Sequence, residues 1–449
     1  MRKIDIKVKK KTIVIGLDGT PYSLLQKLIQ QSTCPNLSKL VSNGTLQEMK
    51  STHPAVSSVA WASFMTGKNP AKHGVFGFME RIPNSYDIYF PNSKHILSKP
   101  VWDIIRDYNK RSVVINVPST YPATEMNGIL VAGFVAIDLT RATYPNSVVP
   151  ILKEMGYKID VETQLARESK DKLFDDMFLT LEKRATALLH FLKNEACDLF
   201  IGVFTETDRL HHFFWEFLDK NDQKYSSLFL EYYRRIDDTI GKLLENVDDN
   251  TTVILLSDHG FCGIKQEIYV NHWLKEEGFL KFKTIPAKAL SDMSNESRAY
   301  CLDPGRIYIN LKGREPGGCV EPGNEYEQLR DTLISKLTGI KNPDTNENII
   351  DKIHKREQIY RGDYFNRAPD LVIEPKHGYD LKGAIYKGSL LSKGVFTGMH
   401  TYDDAFVYIN KKNVTKHNLE IVDVSATILA SLGIPVPPDI DGTNFVEWN

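Results

Sequence analysis

Short apolar runs alternate with amphipathic stretches along the first 260 residues of the chain. "TIVIGLD" (12–18), "RSVVINVP" (111–118), "DLFIGVFT" (198–205) and "TTVILLSDHG" (251–260) are rich in Val, Ile, Leu and Phe. Runs this short, bounded by Gly, Pro or Asp, predict strands buried on both faces. Between them, "PYSLLQKLIQQ", "PNLSKLVSNG", "VWDIIRDYNK" (101–110) and longer stretches at 172–195 and 227–246 repeat apolar positions at helical spacing. Strands alternating with helices predict βαβ crossovers, and so an α/β fold with a largely parallel sheet between helices. Ligands of such sheets bind at the carboxyl ends of the strands.

From 263 to 395 the pattern changes. "PGRIYINLKGREPGG", the helical "YEQLRDTLISKL" and "APDLVIEP" are separated by polar loops rich in Pro and Gly. This predicts an inserted cap lobe. "AFVYIN" (405–410) and "IVDVSATILASLG" (421–433) return to the first pattern, so residues 11–262 and 396–449 are expected to form one core. A length of 449 residues agrees with two lobes.

Composition narrows the function mainly by exclusion. With 56 basic and 57 acidic residues the net charge is -1, so no global field steers the chain onto a nucleic-acid polymer or an anionic membrane. Five cysteines (34, 197, 262, 301 and 319) show no C-x-x-C spacing, which argues against a thiolate zinc site and for a reducing compartment. The basic N-terminus runs into "TIVIGL", too short for the apolar region of a signal peptide. Nowhere do eighteen apolar residues run consecutively, so no membrane span is expected and a cytoplasmic location is.

Candidate chemistry sits where the strands end. Asp18 closes the first strand, Asp258 and His259 follow "TTVILLS", and Asp208 and His212 lie just past "DLFIGVFT". Singly, each is an ordinary turn or cap residue. Together they make a different case. Asp208 and His212 are four apart and share a helix face, while His211 points about 100° away. Asp258 and His259 can converge only in the turn beyond their strand, where Gly260 is expected to permit the backbone. Asp and His are ligands suited to zinc or manganese. Ser57 and Ser58 stand before a compact helix in "STHPAVSSVAWASFMTGKNPAKHG". Either could cap it, or a serine at a helix N-terminus beside a metal pair could attack phosphorus. His400, in "FTGMHTYDD", is a lone histidine beside a glycine.

In this order, Asp18, Ser57, Asp208/His212, Asp258/His259 and His400, the motifs resemble the alkaline phosphatase superfamily. They resemble most its type I phosphodiesterase/nucleotide pyrophosphatase branch, and within it prokaryotic proteins described as predicted phosphohydrolases or phosphomutases. "RIYINLKGREPGG", "APDLVIEP" and "LGIPVPPDIDGTNF" extend the resemblance over nearly the whole chain. It implies two divalent cations, zinc or manganese. One would be held by Asp208, His212 and His400, the other by Asp18, Asp258 and His259 with the Ser57 hydroxyl. It implies that Ser57 forms a covalent phosphoserine, later released by water.

There are departures. Nucleotide pyrophosphatases carry an asparagine three residues after the nucleophile, where this chain has Ala60. Sulfatases need Cys/Ser-x-Pro-x-Arg, and "SSVAW" has neither Pro nor Arg. In the insert, Lys312 and Arg314 are candidate grips for a distal phosphate or carboxylate, weighed against solvated turn residues. The expected substrate is a small phosphoester, with nucleotides and phosphodiesters as candidates. The alternatives are a phosphomonoesterase or phosphomutase of the same superfamily, and a non-catalytic metal-stabilised binding protein. The position of the insert, between His259 and His400, disfavours the mutase.

Overall fold

The structure, a computed structural model, describes residues 10–448. Residues 1–9, which carry most of the basic N-terminal segment weighed as a signal peptide, lie outside the described residues. A nine-stranded sheet runs through the core. Its strands in chain order are β1 (Thr12–Leu17), β2 (Thr45–Lys50), β3 (Ser112–Ile115), β4 (Gly128–Val131), β5 (Thr143–Tyr144), β6 (Leu199–Phe204), β7 (Thr252–Leu256), β8 (Ala405–Ile409) and β9 (Leu419–Glu420). Across the sheet the order is β9-β2-β8-β7-β1-β6-β3-β4-β5. The run β7-β1-β6-β3-β4 is parallel. β8 lies antiparallel to both neighbours, and β5 is antiparallel to β4. The fold is therefore mixed α/β around a largely parallel sheet.

Alternation along β1 divides the core. Ile13, Ile15 and Leu17 face the helices Lys170–Asn194 and Tyr225–Leu244, packing with Phe174, Met177, Phe229 and Tyr232. Val14 faces the other way, towards Trp61 and Phe64 of the helix Ser57–Thr66 and Val424 and Ile428 of Val422–Ser431. Each fully buried side chain of this kind contributes about 1.5–3 kcal/mol. That burial on both faces holds the strand ends in register: Leu17 pairs with Phe204 and Gly16 with Leu256. The residues following these three strands are thereby delivered to one sheet edge.

Gly260–Gly263 pairs antiparallel with Gly398–Thr401, setting Phe261 opposite His400. Between these strands the chain builds a separate apolar cluster around an antiparallel sheet of Ala299–Leu302, Arg306–Ile309, Leu371–Pro375 and Ile350–Lys355. The helix Asn324–Thr338 adds Leu329, Leu333 and Leu337 to that cluster. An early segment of the chain also packs there. Arg306 meets Glu80 at 3.4 Å and Arg81 meets Glu315 at 3.2 Å, while the Tyr86 hydroxyl donates to Asn310 at 2.6 Å. No described helix is long and apolar enough to cross a membrane.

Candidate active site

The three adjacent parallel strands β7, β1 and β6 end at Asp258–His259, Asp18 and the helix Glu206–Asp219, which carries Asp208 and His212. Gly19 turns the chain after Asp18 with φ +64°, and its amide donates to Asp258 Oδ1 at 3.0 Å. Gly260 serves differently from the expectation that it frees the backbone, because its φ is not left-handed. A Cβ there would lie 2.2 Å from the Asp403 carbonyl oxygen, so glycine allows the chain to pass close. The helix with the serines begins at Ser57, with Val56 at the N-cap position and no side-chain cap. Neither serine therefore caps it. Ser57 Oγ faces Asp18 Oδ1 at 3.3 Å and His259 Nε2 at 3.1 Å, whereas Ser58 Oγ is buried with no hydrogen-bond partner.

The histidines arrive with their tautomers set. His259 Nδ1 lies 3.0 Å from the Gly260 carbonyl, His212 Nδ1 2.9 Å from that of Gly398, and His400 Nδ1 3.1 Å from that of Ala55. A carbonyl only accepts, so this network assigns the proton of each neutral ring to Nδ1 and leaves Nε2 as a lone pair. All three lone pairs face inward. His212 Nε2 and His400 Nε2 are 2.9 Å apart, and Asp208 Oδ1 is 3.0 Å from His400 Nε2 and 3.4 Å from His212 Nε2. His259 Nε2 lies 3.4 Å from Asp258 Oδ2 and 3.7 Å from Asp18 Oδ1.

Acceptors thus confront acceptors with too few protons between them. Asp258 Oδ2 is buried without a hydrogen-bond donor. Ser57 has one hydrogen for two facing acceptors. Ligand atoms around a tetrahedral cation with bonds of 2.0–2.1 Å stand about 3.4 Å apart, the range seen here. The donor atoms of Asp208, His259 and His400, and those of Asp18, Asp258 and His259, each lie within 4.8 Å of one another. These overlapping groups share His259, and with His212 beside Asp208 and His400 the donor set suits divalent-cation ligation.

Electrostatics point the same way. Burial raises the Asp18 carboxyl well above its ordinary range, and Asp258 and Asp208 push it further. Burial also takes Asp258 up to about 7. It drives His259 well down, with His400 adding to the effect, and takes His212 to about 3. Asp208 moves the other way: against burial, His212, His400 and Arg209 hold it well below the usual carboxylate range. Neutral imidazoles beside crowded carboxylates are what cation ligation requires.

A family model described as type I phosphodiesterase/nucleotide pyrophosphatase matches residues 12–403. The chain belongs to that family. That family is a metallo-hydrolase group within the alkaline phosphatase superfamily, and the chain is an enzyme of the phosphoester-hydrolase class. Among solved structures it resembles phosphonoacetate hydrolase from Sinorhizobium meliloti 1021, in complexes with phosphonoformate and with phosphonoacetate. Both match at 15% identity and TM-score 0.66, covering 94% of this chain and 96% of that one. It also resembles an inactive form of murine ectonucleotide pyrophosphatase/phosphodiesterase 5 in complex with AMP, at 14% identity and TM-score 0.57, covering 97% of both chains. No curated protein sequence matches.

Around the site of this type I phosphodiesterase-family chain opens a cavity of about 650 Å³, lined by Ser57, Asp208, His212 and His400 together with residues that the sequence did not flag. Trp61 Nε1 donates to Asp18 Oδ2 at 3.0 Å and so orients that carboxylate. Arg209 donates to Asp208 Oδ2 at 3.0 Å and Asp160 Oδ2 at 2.8 Å, with its guanidinium over the Phe134 ring. His211 turns away, as the helix geometry requires, to the Gly19 carbonyl at 3.0 Å and the Tyr233 hydroxyl at 2.8 Å. Lys312 and Arg314 are absent from the cavity lining. Lys312 pairs with Glu321 at the surface, and Arg314 is held by Asp370 at 2.6 Å and Glu315 at 2.8 Å inside the other cluster. The cations that do line the cavity are Arg209, Arg167 and Lys382.

Proposed function

We propose that this chain is a two-metal phosphoester hydrolase of phosphodiesterase or pyrophosphatase type, acting through a phosphoserine on Ser57. The observation that carries this is the position of Ser57 Oγ, at a helix N-terminus and 3.1 Å from the inward-facing lone pair of His259. Asp208, His212 and His400 are assigned to one cation, and Asp18, Asp258, His259 and the Ser57 hydroxyl to the other. Zinc or manganese suits this donor set. Bound there, the pair would lower the pKa of the serine hydroxyl and offset charge on the leaving oxygen.

The chain's own groups supply the rest. Ser57 Oγ, its proton lost to solvent, attacks phosphorus; an Oγ–P bond forms, the bond to the leaving alkoxide or phosphate breaks, and a leaving alkoxide takes its proton from solvent. Ser57 stands at the N-terminus of its helix, where the dipole would favour the negative charge of a bound phosphoryl group. Water then attacks the phosphoserine, restoring the hydroxyl and releasing the phosphoryl group. With Ala60 in place of the asparagine of nucleotide pyrophosphatases, Arg209, which lines the cavity and is shared between two carboxylates, is the candidate for positioning. Segment 263–395 is proposed as the cap that shapes substrate choice, since Asp303, Glu374 and Lys382 from it line the cavity. The low number of cysteines and the lack of any C-x-x-C spacing favour a cytoplasmic location.

The test is a screen of phosphomonoesters, phosphodiesters, nucleotides, phospholipid head groups and phosphonoacetate with added zinc or manganese. Turnover of a phosphoester that chelation abolishes and metal restores is the expected result. Metal-independent turnover, or none on any phosphoester, would overturn the proposal.

A further inference from the structure

A second set of ligand-type side chains meets on the wall of the same cavity, apart from the site above. His53, His354 and Glu374 place one donor atom each within 4.8 Å of one another. His354 Nε2 is 3.0 Å from Glu374 Oε2, and His53 Nδ1 is 3.9 Å from that same oxygen. The two imidazole centroids stand 4.4 Å apart. The residues come from three separate places in the chain. His53 precedes Ser57 by four residues, while His354 and Glu374 lie on neighbouring strands of the inserted sheet. In that pairing Lys352 opposes Glu374 and Ile353 opposes Ile373, so His354 and Glu374 share a face as diagonal neighbours.

We propose that His53, His354 and Glu374 form a third divalent-cation site, of zinc type, that fastens the inserted sheet to the core beside the nucleophile.

Two imidazole nitrogens and one carboxylate oxygen are a recurrent three-ligand zinc set, which leaves a fourth position for water or a substrate oxygen. The separations of 3.0 and 3.9 Å bracket the roughly 3.4 Å expected between ligands of a tetrahedral ion. The surroundings hold the ligands in place. The Tyr402 ring stacks on His53 at 3.9 Å, and the Tyr360 hydroxyl donates to the His53 carbonyl at 2.7 Å. Lys352 Nζ approaches the other carboxylate oxygen, Glu374 Oε1, at 3.9 Å, which leaves Oε2 to the imidazoles. His53 and Glu374 both line the cavity, so the fourth position is reachable from the substrate side. The competing occupant is a proton on His354, paired with Glu374 without any metal. A metal count separates the two.

The experiment uses the full chain, stripped with chelator and then dialysed to equilibrium against buffered Zn2+, with bound zinc measured per chain. Wild type is expected to hold one equivalent more than either Glu374→Gln or His354→Ala. Glutamine keeps the shape of the side chain, and His354 is partly exposed at the seam, so at least one variant stays folded. His377→Ala, which removes a cavity histidine paired with Asp403, should cost nothing. Equal zinc in wild type and in both variants overturns the site, as does an equal loss in His377→Ala. The result reads separately from the two-metal proposal. The difference between wild type and the two variants counts the third site, and the zinc that the variants keep counts the pair at Ser57.

Discussion

His212 and His400 point their Nε2 atoms at each other across 2.9 Å, while the Nδ1 of each is committed to a backbone carbonyl. Two lone pairs at that distance repel unless something positive lies between them. Protonating His212 is not a ready remedy, because burial takes that ring down to about 3. His400→Ala should therefore remove a ligand more than it relieves strain. The expected outcome is loss of about one zinc equivalent and a fall in kcat/KM beyond the 10–100-fold typical of outer-sphere changes, so more than about 100-fold. Elemental analysis beside steady-state kinetics decides it, and full zinc content in the variant would remove His400 from the ligand set.

The two serines should separate cleanly. Ser57 Oγ faces Asp18 and His259, whereas Ser58 Oγ is buried and partnerless. Ser57→Ala is expected to lower kcat by at least about 10³-fold, as loss of a nucleophile does. Ser58→Ala removes an unsatisfied hydroxyl and should leave stability unchanged or raised, with most activity kept. Mass spectrometry after acid quench should find the phosphoryl group on Ser57. Finding it on Ser58 would move the assignment by one residue.

Trp61 offers a subtler handle. Its indole N–H fixes Asp18 Oδ2 at 3.0 Å, and its ring is fully buried. Trp61→Phe keeps an aromatic ring and drops the hydrogen bond. Zinc affinity should weaken about 10–100-fold with the fold intact. Competition with a fluorescent chelator measures this, and unchanged affinity would show that Asp18 needs no such support.

The pH dependence of the metal-free protein has a definite sign. Asp258 titrates near 3.8 when exposed and is raised by burial to about 7 in the fold. Between those values the native state binds more protons than the unfolded state, so this group's stability contribution is lost as pH rises through about 7. The buried His211 and His212, both lowered to about 3, act oppositely, with stability falling as pH drops below their unfolded value of 6.5. Total stability therefore mixes both signs, and the informative quantity is a difference. In chelator, Asp258→Asn should match wild type near pH 4 and melt progressively higher than wild type towards pH 8. Added zinc should reverse that order at pH 8. A gap that does not change with pH would falsify the assignment of the strain to Asp258.

Much of this arrangement is legible in the sequence. Asp18, Asp208 and Asp258 each follow an apolar run, and alternating elements place strand ends together, so local pattern was enough to gather them. β2 was missed because "TLQEMK" is polar and only partly buried near the sheet's outer side. His400 owes its place to the pairing of Phe261 with His400, a contact no local pattern encodes, and resemblance to a family supplied what spacing did not. Arg209, Trp61 and the seam of His53, His354 and Glu374 depend on partners far along the chain. For the same reason Lys312 and Arg314, plausible from charge alone, turned out to be bound by Glu321 and Asp370.

That redistribution of charge bears on the choice between substrates. A monoester is a dianion near neutral pH and a diester a monoanion, so the cavity's spare positive charge decides how well each is held. Arg209 is shared between Asp208 and Asp160, and Lys382 is paired with Asp380 at 2.5 Å. Arg167, exposed, is the cavity cation with no ion pair among the described residues, while Asp303 and Asp403 add carboxylates to the same lining. An extra charge left without a partner in a partly buried site costs several kcal/mol, on the order of a hundredfold or more in relative rate. Diesters or pyrophosphate linkages should therefore be preferred. The measurement is kcat/KM for bis-p-nitrophenyl phosphate against p-nitrophenyl phosphate, at one pH and with the same metal. A tenfold advantage for the monoester would mean that Arg167 or Arg209 engages the phosphoryl group directly. Arg167→Ala and Arg209→Gln would then show which, because only the engaged residue should erase that advantage.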